Sequence, residues 1–196
     1  MAQINQYGVS ALPAVLVADA QYYVLRDNAI DHFIVNTGGT IAYPVTVHPL
    51  VFEQASVTTL AGAANINQNV WTQAVTFPYN GYYIATLGFS WNIDSIVDNF
   101  RAYVSLAGAA IDSNLAPNPS GQFQILNKRM RNSGNTDSGA IPATGSGNQE
   151  NFTKQFIIGN KTAGTTESLS LGMGANLIGI NKSMWNITLK IELIKN

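Results

Sequence analysis

Cysteine is absent from this chain of 196 residues. That excludes disulfides, Cys-ligated zinc and thiol catalysis, and leaves the redox compartment open. Charge is scarce too: Asp, Glu, Lys and Arg make up 11% of the chain, against roughly 25% in an average soluble domain. Asn, Thr, Ser, Gly and Ala stand in their place, so the surface is expected to be neutral and polar. Ten Lys plus Arg are dispersed along a chain of net charge −1. That balance leaves no basic footprint and argues against nucleic acid or membrane as a partner. Long apolar runs are missing as well. No stretch approaches the length of a membrane span, and Met1 to Gln6 lacks the basic segment and apolar run of a secretory signal. Export by a signal peptide is not expected. A neutral, extracellular-type surface without an export signal suits a virion component, which leaves its host at lysis.

The dominant period is two. Trp185, Ile187, Leu189, Ile191 and Leu193 alternate with Asn186, Thr188, Lys190 and Glu192, the pattern of a strand with one buried face. Gly81 to Trp91 places Tyr83, Ala85, Leu87, Phe89 and Trp91 on one side, yet Tyr82 and Ile84 on the other are also large and apolar. Further strands are expected at Val70 to Phe77, Phe100 to Ala107, Gln122 to Leu126, Phe152 to Ile158 and Thr166 to Met173. Each is bounded by Gly, Pro, Asn or Ser. No segment carries a helical stripe, so the fold class is all-β, a sandwich or jelly roll.

The chain divides into residues 1–48, a small β-hairpin unit; 49–69, a connector; and 70–196, the main domain. In the first unit Gln21 to Leu25 and His32 to Val35 read as strands, with Asn36-Thr37-Gly38-Gly39 as a turn. Such a hairpin is too small to stand alone. Two polar, Gly- and Pro-punctuated stretches, Asp112 to Gly121 and Arg131 to Glu150, interrupt the main domain and are expected as loops at its exposed end.

Phe77-Pro78-Tyr79-Asn80-Gly81-Tyr82-Tyr83-Ile84 resembles the strand pair that enters the tumour-necrosis-factor-like (TNF-like) jelly roll of the complement globular-head domains. Val104-Ser105-Leu106-Ala107-Gly108-Ala109 is similar to that family's next hairpin, and the strand from Trp185 to Ile194 to its last. The resemblance spans about residues 66–196 and implies a jelly roll packed as a homotrimer. In the first unit Leu12-Pro13-Ala14, Ala20-Gln21-Tyr22-Tyr23-Val24, His32-Phe33-Ile34-Val35-Asn36 and Gly39 resemble a hairpin module of bacteriophage head and tail fibre proteins. There it is expected as an appendage to larger chains, whereas here it opens the sequence. It implies attachment to other virion proteins, of the capsid or the tail.

The chemical candidates are sparse. His32 and His48, the only histidines, lack an HExxH or Ser-elbow context, so no catalytic residue and no cofactor are expected. Asp94 and Asp98, with Asn92 and Asn99, have the oxygen donors calcium requires, but turn capping is their ordinary role. Asp27 and Asp31 bracket the first hairpin turn and are read as turn formers. Lys128, Arg129 and Arg131 form a small basic cluster at a strand end, read as solvated. Tyr82, Ile84 and Tyr103 are the expected trimer contacts, since large apolar residues on both sides of one strand exceed what a single core covers. Asn118, Asn132, Asn135, Thr136 and Thr144 offer neutral groups that hydrogen-bond sugar hydroxyls, and Phe123 a stacking face, so a host-surface glycan is the expected ligand. The sequence therefore points to a non-enzymatic fibre subunit. The alternatives are a soluble bacterial complement-like binding domain or a glycan depolymerase domain, the latter lacking a visible carboxylate pair.

Overall fold

The computed structural model describes residues 4–27, 29–61, 68–93, 99–106, 123–129, 150–174 and 181–195. All regular structure in these residues is β. The first sheet is built from β1 (Gln6–Val9), β2 (Gln21–Arg26), β3 (Ala29–Val35) and β4 (Ala42–Thr46), in that order. Strands β2, β3 and β4 run antiparallel, while β1 pairs in parallel with β2. The expected hairpin is thus widened by a strand on each side. The tight turn from β3 to β4 is set by Asn36, whose Oδ1 accepts from the amides of Thr40 at 2.8 Å and Ile41 at 3.0 Å. Gly39 takes φ +64 there, and a Cβ would lie 3.0 Å from the Leu16 carbonyl oxygen, so glycine is required on both counts.

The remaining strands are β5 (Leu50–Gln54), β6 (Thr58–Ala61), β7 (Gln68–Thr76), β8 (Gly81–Ile93), β9 (Asn99–Leu106), β10 (Phe123–Arg129), β11 (Glu150–Lys161), β12 (Thr166–Gly174) and β13 (Asn181–Lys195). They form two sheets, β11-β8-β13-β5 and β10-β9-β12-β7, with β6 also on β13. Except at the β9–β10 hairpin, successive strands from β7 onward switch sheet, and every pairing is antiparallel. Counted from β5 without β6, the orders are 1-8-3-6 and 2-7-4-5, which is the double Greek key of a jelly roll. Within residues 49–69, expected as a connector, Leu50–Gln54 and Thr58–Ala61 form β5 and β6 and so belong to a jelly-roll sheet. Weak alternation hid them: Leu50 and Phe52 are only partly buried against the core.

The core follows from period two. Tyr83, Ala85, Leu87, Phe89, Trp91 and Ile93 of β8 face Val75, Phe100, Ala102, Val104, Leu169, Leu171 and Met173 of the opposite sheet. Trp91 stacks on Phe100 with ring centroids 4.5 Å apart. One expectation changes at β13. Asn186 has φ 50 and a bulge separates Trp185 from Thr188. Trp185 therefore pairs with Ser90 on the outer side of the sheet, while Ile187, Leu189 and Ile191 point inward. An extra residue in one strand reverses the facing of everything before it.

Candidate functional site

The first sheet buries Ala20, Tyr22, Val24, Phe33, Val35 and Ala42 on one face, and the residue that closes this small core is Tyr79, from the β7–β8 turn of the jelly roll. Its ring meets Phe33 edge-on at 4.7 Å. Alternation along β3 puts Asp31 on the same inward face as Phe33 and Val35, and it is fully buried. A carboxylate in that position requires partners. Arg26 of β2 brings Nε to 2.6 Å from Oδ2, and its Nη2 donates to the His48 carbonyl at 2.8 Å. The His48 amide donates to Oδ1 at 2.7 Å, the His48 Nδ1 lies 3.1 Å from the same oxygen, and the Tyr79 hydroxyl donates to Oδ2 at 2.7 Å. Tyr79 is held in turn by Tyr83, whose hydroxyl donates to the Tyr79 carbonyl at 2.9 Å and accepts from its amide at 3.2 Å.

Both carboxylate oxygens are thus taken up inside the protein. The cluster works as a clamp between the two units rather than as a base open to a substrate. Asp31 is not the turn former expected from its place across the first hairpin turn from Asp27: strand alternation carries it inward. Burial pushes its carboxyl up. The hydrogen bonds from Tyr79, the His48 amide, Arg26 and the His48 ring outweigh that and hold it below the ordinary carboxylate value. Burial and the bond to Asp31 push the Tyr79 phenol far above its usual range, and burial pushes Tyr83 up to about 12.

A pH dependence follows. The folded pKa of Asp31 lies below its ordinary value of 3.8, so the clamp's contribution is complete above that value and is lost as pH falls through the folded pKa. Between about pH 4 and pH 2 the thermal midpoint of the native chain should fall more steeply than that of Asp31→Asn, which has no proton to gain there. Parallel slopes in calorimetry would show that the clamp does not titrate with folding.

Beside the clamp runs a groove of about 310 Å³, lined by Leu12, Pro13, Leu16, Ile41, Pro78 and Tyr79 among others. The Leu12-Pro13-Ala14 motif therefore lies at the seam between the units. His32 stacks on Tyr23 at 4.6 Å on the other face of the first sheet. The expected trimer contacts separate. Tyr82 and Ile84 lie half-buried on the outer side of β8, whereas Tyr103 lies on β9 of the opposite sheet, in register with Gly172, and is 6% exposed. Phe123 opens β10 opposite Val104. Asn118, Asn132, Asn135, Thr136 and Thr144 lie outside the described residues, as do Asp94, Asp98 and Arg131. Asn92 is buried at the end of β8, and Lys128 and Arg129 pair along β10 with Phe100 and Asn99 of β9. Among the described residues, no group of three His, Asp or Glu is placed to hold a metal ion.

No family model matches the chain, and no curated protein matches it. Among solved structures it is similar to the Eiger TNF of S. frugiperda, at 8% identity and TM-score 0.41, covering 76% of this chain and 95% of that one. It is also similar to the VP2 subviral particle of infectious bursal disease virus, at 9% identity and TM-score 0.29, covering 88% of this chain. The Gx strain of that virus gives 11% identity and TM-score 0.26 over the same share. The chain spans 50% and 48% of those two viral chains, and its own strand order is what makes it a jelly roll.

Proposed function

We propose that this chain is a non-enzymatic structural subunit of a trimeric bacteriophage fibre, held to the particle through its N-terminal unit and displaying the jelly roll to the host surface. The observation that carries this reading is an asymmetry of surface. Ten of the thirteen large apolar side chains exposed among the described residues lie between Ile4 and Val45. The unit that engages other protein is therefore the small first sheet. The long strands behind it present neutral polar groups, such as Asn151, Thr153 and Gln155 of β11 and Asn186 and Thr188 of β13. The Asp31 clamp fixes one unit to the other, as a subunit with an attached end and a displayed end requires. The residue resemblances to phage fibre modules support the virion setting.

The test is competition. Purified chain, which should have a trimer mass in light scattering, is added to host cells ahead of the phage that encodes it. It should depress adsorption by about tenfold or more, since threefold display supplies avidity. Replacing residues 132–147 by a Gly-Ser linker should remove the competition and leave the trimer mass unchanged. If the intact chain does not compete, it is not displayed for host binding.

A further inference from the structure

Among the described residues, most of the exposed large apolar side chains lie in the first unit, and several of them gather on the outer face of its sheet. Alternation turns Tyr23 and Leu25 of β2, Ile30, His32 and Ile34 of β3, and Tyr43 of β4 away from the jelly roll. The register sets Leu25 beside Ile30 and Ile34 beside Tyr43. Leu25 is 59% exposed, Ile30 52%, Tyr43 51% and Ile34 41%. With Val45 at the β4 bulge, also exposed, these side chains leave roughly 500 Å² of apolar surface in water, near the top of the range for the largest patch on a monomer.

Charge and area select the occupant. Arg26 is the only Lys or Arg in residues 1–48, and it is spent on Asp31. The face therefore lacks the basic rim that an anionic lipid surface selects. A face with no Asp, Glu, Lys or Arg meets an identical face without repulsion between such charges. Two such faces together bury roughly 1,000 Å², the size at which a specific protein contact begins. Three around one axis form a prism, with apolar side chains filling its interior at the roughly 10 Å spacing of packed sheets.

We propose that copies of this chain meet through the outer face of the N-terminal sheet, with Leu25, Ile30, Ile34 and Tyr43 turned towards a shared axis. The inference rests on the trimeric part of the reading above, moves the contact from Tyr82, Ile84 and Tyr103 to the first sheet, and leaves the other exposed apolar side chains of that unit, Ile4, Tyr7, Val15, Val17 and Ile41, for the particle.

Sedimentation equilibrium of the full chain tests it. The native protein should weigh three times 21.0 kDa. The double substitution Leu25→Lys with Ile34→Lys should fall to the single-chain mass, and so should Leu25→Glu with Ile34→Glu, because each sets like charges against each other. Mixed in equal amounts, the two variants should recover oligomers containing both. Both positions are solvent-exposed within one chain, so near-ultraviolet circular dichroism should match the native spectrum. A second measurement stands apart from those substitutions. The chain has no cysteine, so Ile34→Cys carries a single thiol. A short bis-maleimide should link copies through it, while Thr153→Cys on the jelly roll should not link. A native trimer that survives both charged pairs, with no link through Ile34→Cys, overturns this surface and leaves the trimer standing. A native monomer overturns both.

Discussion

Asp31→Ala should lower the stability of the chain by roughly 3 kcal/mol or more, the lower part of the range for breaking a buried ion pair from one side. The substitution strands the Tyr79 hydroxyl and the His48 amide, both of which donate to this carboxylate at 2.7 Å, and it removes the ion-pair partner of Arg26, leaving that side chain its bond to the His48 carbonyl. The Arg26 side chain is 22% exposed and recovers part of its hydration, which keeps the loss from the top of the range. The effect should also be divided in space. All three tryptophans, Trp71, Trp91 and Trp185, lie in jelly-roll strands, so their fluorescence reports that unit alone. In urea, far-ultraviolet circular dichroism and Trp fluorescence should move together in the native chain. In Asp31→Ala the first sheet should melt earlier and the two curves should part. Coincident curves with an unmoved midpoint would show that the clamp contributes nothing to the union of the units.

Trp91→Ala should cost roughly 3–5 kcal/mol, and the loss should fall on the jelly roll. Trp91 is fully buried between the two sheets, near the end of β8, and stacks on Phe100 of the opposite sheet. Its removal leaves a void bordered by β8 and β9, whose backbones are fixed by ladders on both sides and cannot close over it. The urea midpoint read from far-ultraviolet circular dichroism should drop with little change in slope, because the same surface is still exposed on unfolding. A loss under about 1 kcal/mol would mean that the core repacks around the hole.

Much of the fold was legible in the sequence because its information is local. Period-two alternation named the long strands, and β8 and β12 hold the residues it assigned to them. It failed where a strand is short or irregular. β1 is a four-residue strand with three exposed positions and no alternation to read. β5 and β6 pair with β13 across more than a hundred residues, which no local pattern reveals. Trp185 was misplaced because a single residue with positive φ reversed the facing of the strand before it. The clamp was half visible. Asp31 sits two residues before Phe33 and four before Val35, so the same parity that buries those side chains buries the carboxylate. That signal was legible in the sequence, although the turn residues just before it obscure the parity. Tyr79 as its partner was not, since 48 residues separate them and the tyrosine lies in a turn of another sheet.

Tyr79 also decides how force would cross the molecule. The chain leaves β4 at Thr46 and enters β5 at Leu50, so the covalent path between the units is a short extended link. Tyr79 and Asp31 provide a second path in parallel with it, through a hydrogen bond of 2.7 Å and an edge-on ring contact with Phe33. A tug on the jelly roll is shared between a peptide tether and a side-chain strut, and two separated points of attachment resist rotation where one would swivel. The joint behaves as a bracket: the direction in which the jelly roll points is inherited from the seating of the first sheet.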